Sequence, residues 1–324
     1  MSRAKIVLFG LLVALSLSRA KEQTTAWQKA KLHARQANDA FERTHRFLYG
    51  WLRYQSITTS FVPQNILEQR YTWTIRNSAA DLYPRLVLAG YFTDRPVLDQ
   101  RLLLILNQEQ KVCNRLGVLP DDVYLDDGSF VYADIDTGRI IFGASEYCKD
   151  GLVMITEVMG RTPWFDRMKQ LADAILDLAS VQTPYGVIPA DNTEVNGEML
   201  MTLTRLYTMT GEEKYIKWAE RIADVYLFHI MPKNNDLPAF AWDFAADTSL
   251  TPEFKVSDHG NEILGGLALL YAVEKSLNSP KAGAYHDPLK KALDKLLDIA
   301  TNDDGLFYTK VNPKTGQPTS EILT

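Results

Sequence analysis

The sequence predicts an all-α protein in which helical hairpins form a barrel. Hydrophobic residues recur at helical spacing along most of the chain after Thr25. A pattern then repeats, because leucines stand two, five and eight residues after both Glu198 and Glu262, and a tyrosine stands nine residues after each. Each repeat ends at a break that contains Gly or Pro and continues into a second helix, so the repeating unit is a hairpin.

The first helix of each hairpin is the more apolar one, which predicts that it faces the inside of the barrel. Four of these inner helices are expected to begin at an acidic residue, and the acids are separated by 69, 48 and 64 residues. A uniform solenoid would need a fixed repeat length. The irregular spacing therefore predicts a barrel whose loops at one rim differ in length and shape a site. The four acids are Asp81, Asp150, Glu198 and Glu262.

Short β-hairpins are predicted where the chain returns from an outer helix to the next inner one. The tripeptide Asp-Asp-Gly occurs at 126–128 and again at 303–305, and Thr-Gly follows at 137–138 and 315–316. Such residues are typical of tight turns. We therefore expect short β-hairpins near residues 127–138 and 304–316, with a third turn-rich segment at 184–189.

The two ends of the chain carry separate signals. Residues 1–20 combine two basic residues at the start, then a short apolar run, then small residues at a cleavage position, which is typical of a signal peptide. We therefore expect a mature helical domain over 21–324 that is secreted or periplasmic and carries no membrane segment after cleavage. Because the chain stops where another inner helix is due, we also expect a fragment of a longer catalytic domain.

Composition limits the classes of partner. The formal net charge of −5 argues against nucleic acid, and two cysteines are too few for a disulfide-stapled fold. Cys113 and Cys148 could form one bridge or remain two buried thiols. No cofactor is expected, and the sequence leaves the oligomeric state open.

The stretch TRLYTMTGEEKYIKWAERIADVYL, which begins at Thr204, resembles the hairpins of the six-hairpin glycosidase superfamily. The resemblance implies an (α/α)6 toroid, of which about four and a half hairpins are visible before the sequence ends. In such toroids the inner helices run parallel, and their N-terminal rims surround a carbohydrate-binding funnel. The resemblance therefore implies a carbohydrate substrate.

On this interpretation the four acids meet in one funnel. Like charges in a desolvated space raise at least one pKa, as a general acid requires. We expect a glycoside hydrolase with Glu198 or Glu262 as the acid and Asp81 or Asp150 as the base. The competing interpretation is that each acid has only a structural role and stabilises the N-terminus of its own helix through the helix dipole.

Two other functions remain open. A polysaccharide lyase or epimerase acting on uronic acid would use Arg76, Asn77 and His259 to neutralise the substrate carboxylate, with Tyr83 or Tyr185 as the base. A non-catalytic glycan-binding protein would bind along a concave face.

The segment SDHGNE at 257–262 is the last candidate feature. Asp258 and His259 are expected to cap a helix or to bind substrate. His259 and Glu262 could share a metal, but two ligands without a third make a poor metal site, so none is expected. Trp242 is the expected platform on which a sugar ring stacks.

Overall fold

The computed structural model describes residues 3–322, with side chains from residue 25 onward. Within that range the chain forms nine helices, four of which include a short stretch of wider, π-type turns. They are α1 (Arg3–Leu52), α2 (75–93), α3 (95–112), α4 (137–159), α5 (Pro163–Asp177), α6 (Thr193–Thr210), α7 (213–233), α8 (Glu262–Ser276) and α9 (Pro280–Ala300).

The even-numbered helices form the inner layer of the fold. Helix α2 packs on α4, α4 packs on α6, and α6 packs on α8. The odd-numbered helices cover them from outside, each against an inner helix that is next to it in the chain. The chain is 60% helical, and its strands are short antiparallel pairs, so the predicted all-α hairpin architecture is confirmed.

Helices α6 and α8 approach each other most closely at two glycines. A Cβ atom on Gly197 would lie 2.4 Å from the backbone nitrogen of Ile263, and one on Gly266 would lie 3.0 Å from the side chain of Leu200. Only glycine fits at Gly197, because the obstacle there is backbone. The two inner helices are therefore held at a separation that brings their N-terminal turns together.

Eleven short strands occur within the described residues, and all of them lie outside the helices, nine between helices and two after α9. They are Thr72–Trp73, Asn114–Leu116, Leu119–Pro120, Val123–Tyr124, Val181–Thr183, Gly186–Ile188, Trp242–Asp243, Thr248–Ser249, Phe254–Lys255, Lys310–Asn312 and Gln317–Pro318. The pair Val181–Thr183 with Gly186–Ile188 confirms the third turn-rich segment as a hairpin. The pair Lys310–Asn312 with Gln317–Pro318 confirms the last hairpin, at the end of its predicted range.

The hairpin predicted near residues 127–138 covers only the start of that range. Residues 125–127 form a turn, the backbone N–H of Tyr124 donates to the carbonyl of Ser129, and Val123 forms an antiparallel β-bridge with Phe130. The chain then enters helix α4 at Thr137, because the carboxylate of Asp136 accepts a hydrogen bond from the backbone N–H of Arg139 and caps the helix. The Thr-Gly pair at 137–138 therefore opens a helix and does not close a turn.

The structure also bears on the prediction about the cysteines, and it leaves the signal peptide untested. Cys113 and Cys148 are both buried and free, so the alternative with two thiols is the observed one. The expected signal peptide, residues 1–20, falls outside the described side chains, and secretion stays a prediction. In the part of the chain that is described, no helix has the length and apolarity needed to cross a membrane.

Candidate active site

The four predicted acids lie on four different inner helices, as expected, but at different distances from the helix starts. Glu262 is the first residue of α8, and Glu198 lies in the second turn of α6. Asp81 and Asp150 lie deeper, in the π-type stretches Ile75–Leu82 and Tyr147–Leu152. The prediction that all four acids begin their helices is therefore wrong for three of them. Wide π-type turns are frequent at functional sites, because they change the direction of the side chains they carry.

His259 is bound by a carboxylate from another helix. Its Nδ1 atom is in hydrogen-bond contact with Oε1 of Glu194, which lies in the first turn of α6. Its Nε2 atom lies 3.3 Å from the carboxylate of Asp258. The Glu194 side chain is only 7% exposed, whereas the imidazole is 40% exposed. A buried acid thus fixes the orientation of an accessible imidazole.

Glu146 lies at the centre of the acidic residues. Its carboxylate is within 4.8 Å of ligand atoms on Glu194 and His259, and it is equally close to Asp150 and Glu198. One of its oxygens, Oε2, is buried without a hydrogen-bond partner. Helices α4 and α6 and the loop before α8 therefore all contribute to one polar cluster.

Asp150 and Glu198 differ in their surroundings. Asp150 forms an ion pair of 2.9 Å with Lys149, and its side chain is 37% exposed. Glu198 is buried, and its Oε2 accepts a hydrogen bond of 2.6 Å from the Ser145 hydroxyl. Asp150 is therefore accessible from solvent, whereas Glu198 is not.

The cluster raises the pKa values of its acids. Burial, followed by the charge of Glu194, raises the pKa of Glu146 to about 8. Burial raises the pKa of Glu194 to about 7, although His259 opposes the shift. Burial also raises the pKa of Glu198 well above its usual range, and burial together with Asp150 raises that of Asp81. Several of these carboxyl groups can therefore hold a proton at neutral pH.

Glu262 closes the cluster on the α8 side. Its Oε1 accepts a hydrogen bond of 3.2 Å from the backbone N–H of His259, while its Oε2 is buried without a partner. The capping interpretation of the 257–262 segment is thus correct in part, because Glu262 satisfies an amide next to its own helix. Asp258 is exposed and lies beside the imidazole.

A groove of about 600 Å³ adjoins the cluster. Arg76 and Phe142 line it, with the guanidinium 5.3 Å from the centre of the Phe142 ring. The same ring lies 6.3 Å from the imidazole of His259. Asn77 is exposed next to Arg76 at the start of α2. The structure therefore places Arg76 near the candidate site.

Three predicted contact residues lie elsewhere. Tyr83 is fully buried between helices and donates its hydroxyl proton to the carbonyl of Leu102, so its prediction as a base is wrong. Trp242 is only 2% exposed, so its ring cannot serve as a stacking platform. Tyr185 is exposed at a hairpin turn but lies against Phe228 of the outer helix α7.

Glu146 and Glu194 were missed by the sequence reasoning, although a signal for both exists. Each lies four residues before a predicted acid, Asp150 and Glu198 respectively. Residues four apart share one helix face, so each predicted acid had a neighbour one turn earlier. Searching for pairs of acids at this spacing would have found both.

No protein-family model matches the sequence, and no curated protein matches it. The fold is nevertheless shared with solved structures. The crystal structure of a D-mannose isomerase matches with a TM-score of 0.60 and 12% identity over 87% of this chain and 75% of that one. A sugar epimerase from a ruminal bacterium matches with a TM-score of 0.53 and 11% identity over 87% and 76%. The fold is that of the (α/α)6 toroids. The predicted resemblance to the six-hairpin superfamily is confirmed for the fold.

Proposed function

We propose that the chain is a carbohydrate-active enzyme that isomerises or epimerises a sugar by proton transfer. The observation that carries this proposal is the carboxyl pair of Asp150 and Glu198, whose ligand oxygens lie within 4.8 Å of each other. Both residues lie within 4.8 Å of Glu146, which is equally close to His259. A reversible proton transfer requires a group that accepts a proton and a second group close enough to share it.

Asp150 is the residue proposed to contact the reacting carbon. It removes the proton from the carbon next to the sugar carbonyl, the electron pair of the broken C–H bond forms a carbon–carbon double bond, and the carbonyl π pair moves onto its oxygen. Glu198 is buried, and its raised pKa keeps it protonated, so it donates a proton to that oxygen to give the enediol and then takes back the hydroxyl proton that is lost when a new carbonyl forms. In isomerisation Asp150 returns its proton to the former carbonyl carbon; in epimerisation water protonates the opposite face of the original carbon, and Asp150 loses its proton to solvent. His259 and Glu194 are placed to bind the oxygen atoms of the sugar.

The spacing of the pair favours this reaction over inverting hydrolysis. An inverting glycosidase needs its two carboxyl groups about 6.5 to 9.5 Å apart, because a water molecule stands between them. One carboxylate oxygen of Asp150 lies within 4.8 Å of one of Glu198, which is shorter than that range. The two structural neighbours, which are an isomerase and an epimerase by name, add support from the fold.

A retaining glycoside hydrolase is the second candidate. Retaining enzymes have their two carboxyl groups about 5 to 5.5 Å apart, and one of them attacks the sugar directly. The close approach of Asp150 to Glu198 is compatible with this spacing too. In that case Asp150, as the exposed member, would be the nucleophile.

A product assay separates the candidates. The purified chain is incubated with a panel of free aldoses and ketoses and with neutral and uronate-containing oligosaccharides, and the products are separated by chromatography. The proposal predicts an isomer of unchanged mass and no increase in reducing ends. New reducing ends would favour the hydrolase, an unsaturated product absorbing in the ultraviolet would favour a lyase, and binding without turnover would favour a glycan-binding protein.

A further inference from the structure

Three side chains around the centre of the cluster have the chemistry and spacing of metal ligands. They are Glu146 from α4, Glu194 from α6 and His259 from the loop before α8, and their ligand atoms lie within 4.8 Å of one another. Because each comes from a different element, the spacing is set by helix packing and not by local chain geometry. The close contact of α6 with α8 at Gly197 fixes two of the three positions.

Unpartnered oxygens at the same place indicate that a cationic partner belongs there. Oε2 of Glu146 and Oε2 of Glu262 are both buried without a hydrogen-bond partner, and Glu262 is 6% exposed. The other oxygen of Glu262 is bonded to the backbone of His259, so the free oxygen lies beside the cluster. A buried acceptor without a partner is destabilising, and more so when it is charged. The nearby ammonium of Lys149 is paired with Asp150.

We infer that Glu146, Glu194 and His259 bind a divalent cation of the Mn²⁺ or Zn²⁺ class. A mixed set of one imidazole and two carboxylates suits these ions, whereas Mg²⁺ and Ca²⁺ prefer oxygen ligands alone. Three protein ligands leave coordination positions open, as in catalytic metal sites. The sequence suggested His259 and Glu262 as ligands, with no third. In the structure, Glu146 and Glu194 take the place of Glu262 as partners of His259.

The remaining contacts of His259 fit a metal ligand. In metal sites the second ring nitrogen of a ligating histidine is commonly hydrogen-bonded to a carboxylate. Here Nε2 lies 3.3 Å from Asp258, while Nδ1 faces the cluster. Coordination uses the lone pair of Nδ1, so the proton that Nδ1 shares with Glu194 leaves to solvent and both atoms bind the cation. Asp258 then holds the Nε2 proton and fixes the tautomer.

The backbone at His259 is also held in an uncommon conformation. Its φ is 68°, in the left-handed region that few residues other than glycine adopt. The next residue, Gly260, has no room for a side chain, because a Cβ atom there would lie 2.3 Å from the carbonyl oxygen of Lys255. Strained backbone of this kind is found at ligand-binding sites, where the surrounding structure holds it in place.

Metal binding by the full chain tests the inference without any sugar. The protein is stripped with a chelator and dialysed, and Mn²⁺ and Zn²⁺ binding is measured by titration calorimetry and by elemental analysis, with Ca²⁺ as the comparison ion. The expected result is one saturable site per chain that prefers Mn²⁺ or Zn²⁺ to Ca²⁺. Glu146→Gln and His259→Gln should each weaken binding at least tenfold, and Asp258→Asn should weaken it about 10- to 100-fold.

The matched control is Glu157→Gln, which lies on the same helix as Glu146 but pairs with Arg205 outside the cluster. It should bind as the unchanged chain does. Circular dichroism and thermal melting show whether each variant folds, and Glu146→Gln is expected to fold because it removes a charge whose buried Oε2 atom has no partner. Two results would overturn the inference. One is the absence of a saturable site in the unchanged chain; the other is equal binding by all variants, which would mean an adventitious ion only. Since binding is measured without substrate, either result leaves the proposed reaction open to its own test.

Discussion

The carboxylate of Glu194 contacts the imidazole of His259, although the two residues are 65 positions apart in the chain. The contact exists because helices α6 and α8 approach closely at Gly197, which brings the first turn of α6 beside the loop that precedes α8. The packing of α6 on α8 therefore also brings these two site residues together. Changes that separate the helices should disturb the site even where they touch none of its side chains.

Gly197→Ala should be destabilising and should loosen the contact of Glu194 with His259. The added methyl group would lie 2.4 Å from a backbone nitrogen of α8, so the helices must move apart. Overpacking of this kind costs about 1–3 kcal/mol. The matched control is Gly283→Ala on α9, where nothing lies within 4 Å and alanine should stabilise the helix by about 0.4–1 kcal/mol. Denaturant unfolding of both variants measures the difference; equal effects would contradict the close contact.

Glu198→Gln should make stability less dependent on pH. Burial raises the pKa of Glu198 in the folded chain above its ordinary value of 4.5, so the folded state keeps a proton that the unfolded state loses. Stability then falls by about 1.4 kcal/mol per pH unit between the two pKa values, and this contribution is absent in the glutamine variant. In chelator-treated protein, Glu198→Gln should melt higher than the unchanged chain at pH 8 and equally at pH 4. A gain of the same size at both pH values would show that Glu198 is not held protonated.

Trp242→Ala should lower stability more than Tyr185→Ala does. The Trp242 ring is 2% exposed and stands edge-on to His229 with ring centres 6.2 Å apart, whereas Tyr185 is 40% exposed. Removing a large buried aromatic side chain costs about 3–5 kcal/mol. Thermal melting of the two variants checks this. An unchanged melting temperature for Trp242→Ala would indicate that the ring is an accessible stacking surface and not part of the core.

The sequence alone was enough to predict the inner and outer helical layers and to identify the helices that carry acids. Hydrophobic periodicity reports which face of a helix is buried, and the repeat of leucines after Glu198 and Glu262 reflects two helices that pack on each other. The start of α4 could not be found in this way. Its first residues, 137–138, look like a turn, and only the cap formed by Asp136 makes them helical.

The composition of the cluster was harder to predict than the fold. Glu194 and Glu146 have no local signal stronger than their spacing from a second acid, and their importance depends on which helices become neighbours. The predictions for Trp242 and Tyr83 were wrong for the opposite reason. Both have residue types that suit a sugar site, but packing buries them, and burial of an individual ring cannot be read from residue type alone.

The central claim is that the carboxylate of Asp150 moves a proton on a sugar. The most direct test is incubation of the chain in D₂O with the aldose or ketose that the panel shows it to convert, followed by NMR of the carbon next to the carbonyl. We expect deuterium to appear at that carbon with the unchanged chain and with Asp99→Asn, a control on the outer helix α3 whose carboxylate is exposed. Asp150→Asn should fold normally and lower the rate of exchange at least about 100-fold, the usual scale for loss of a general base. Exchange at an undiminished rate in folded Asp150→Asn would contradict the assignment of the base, and turnover that incorporates no deuterium with the unchanged chain would contradict proton transfer through a solvent-exchanging carboxylate.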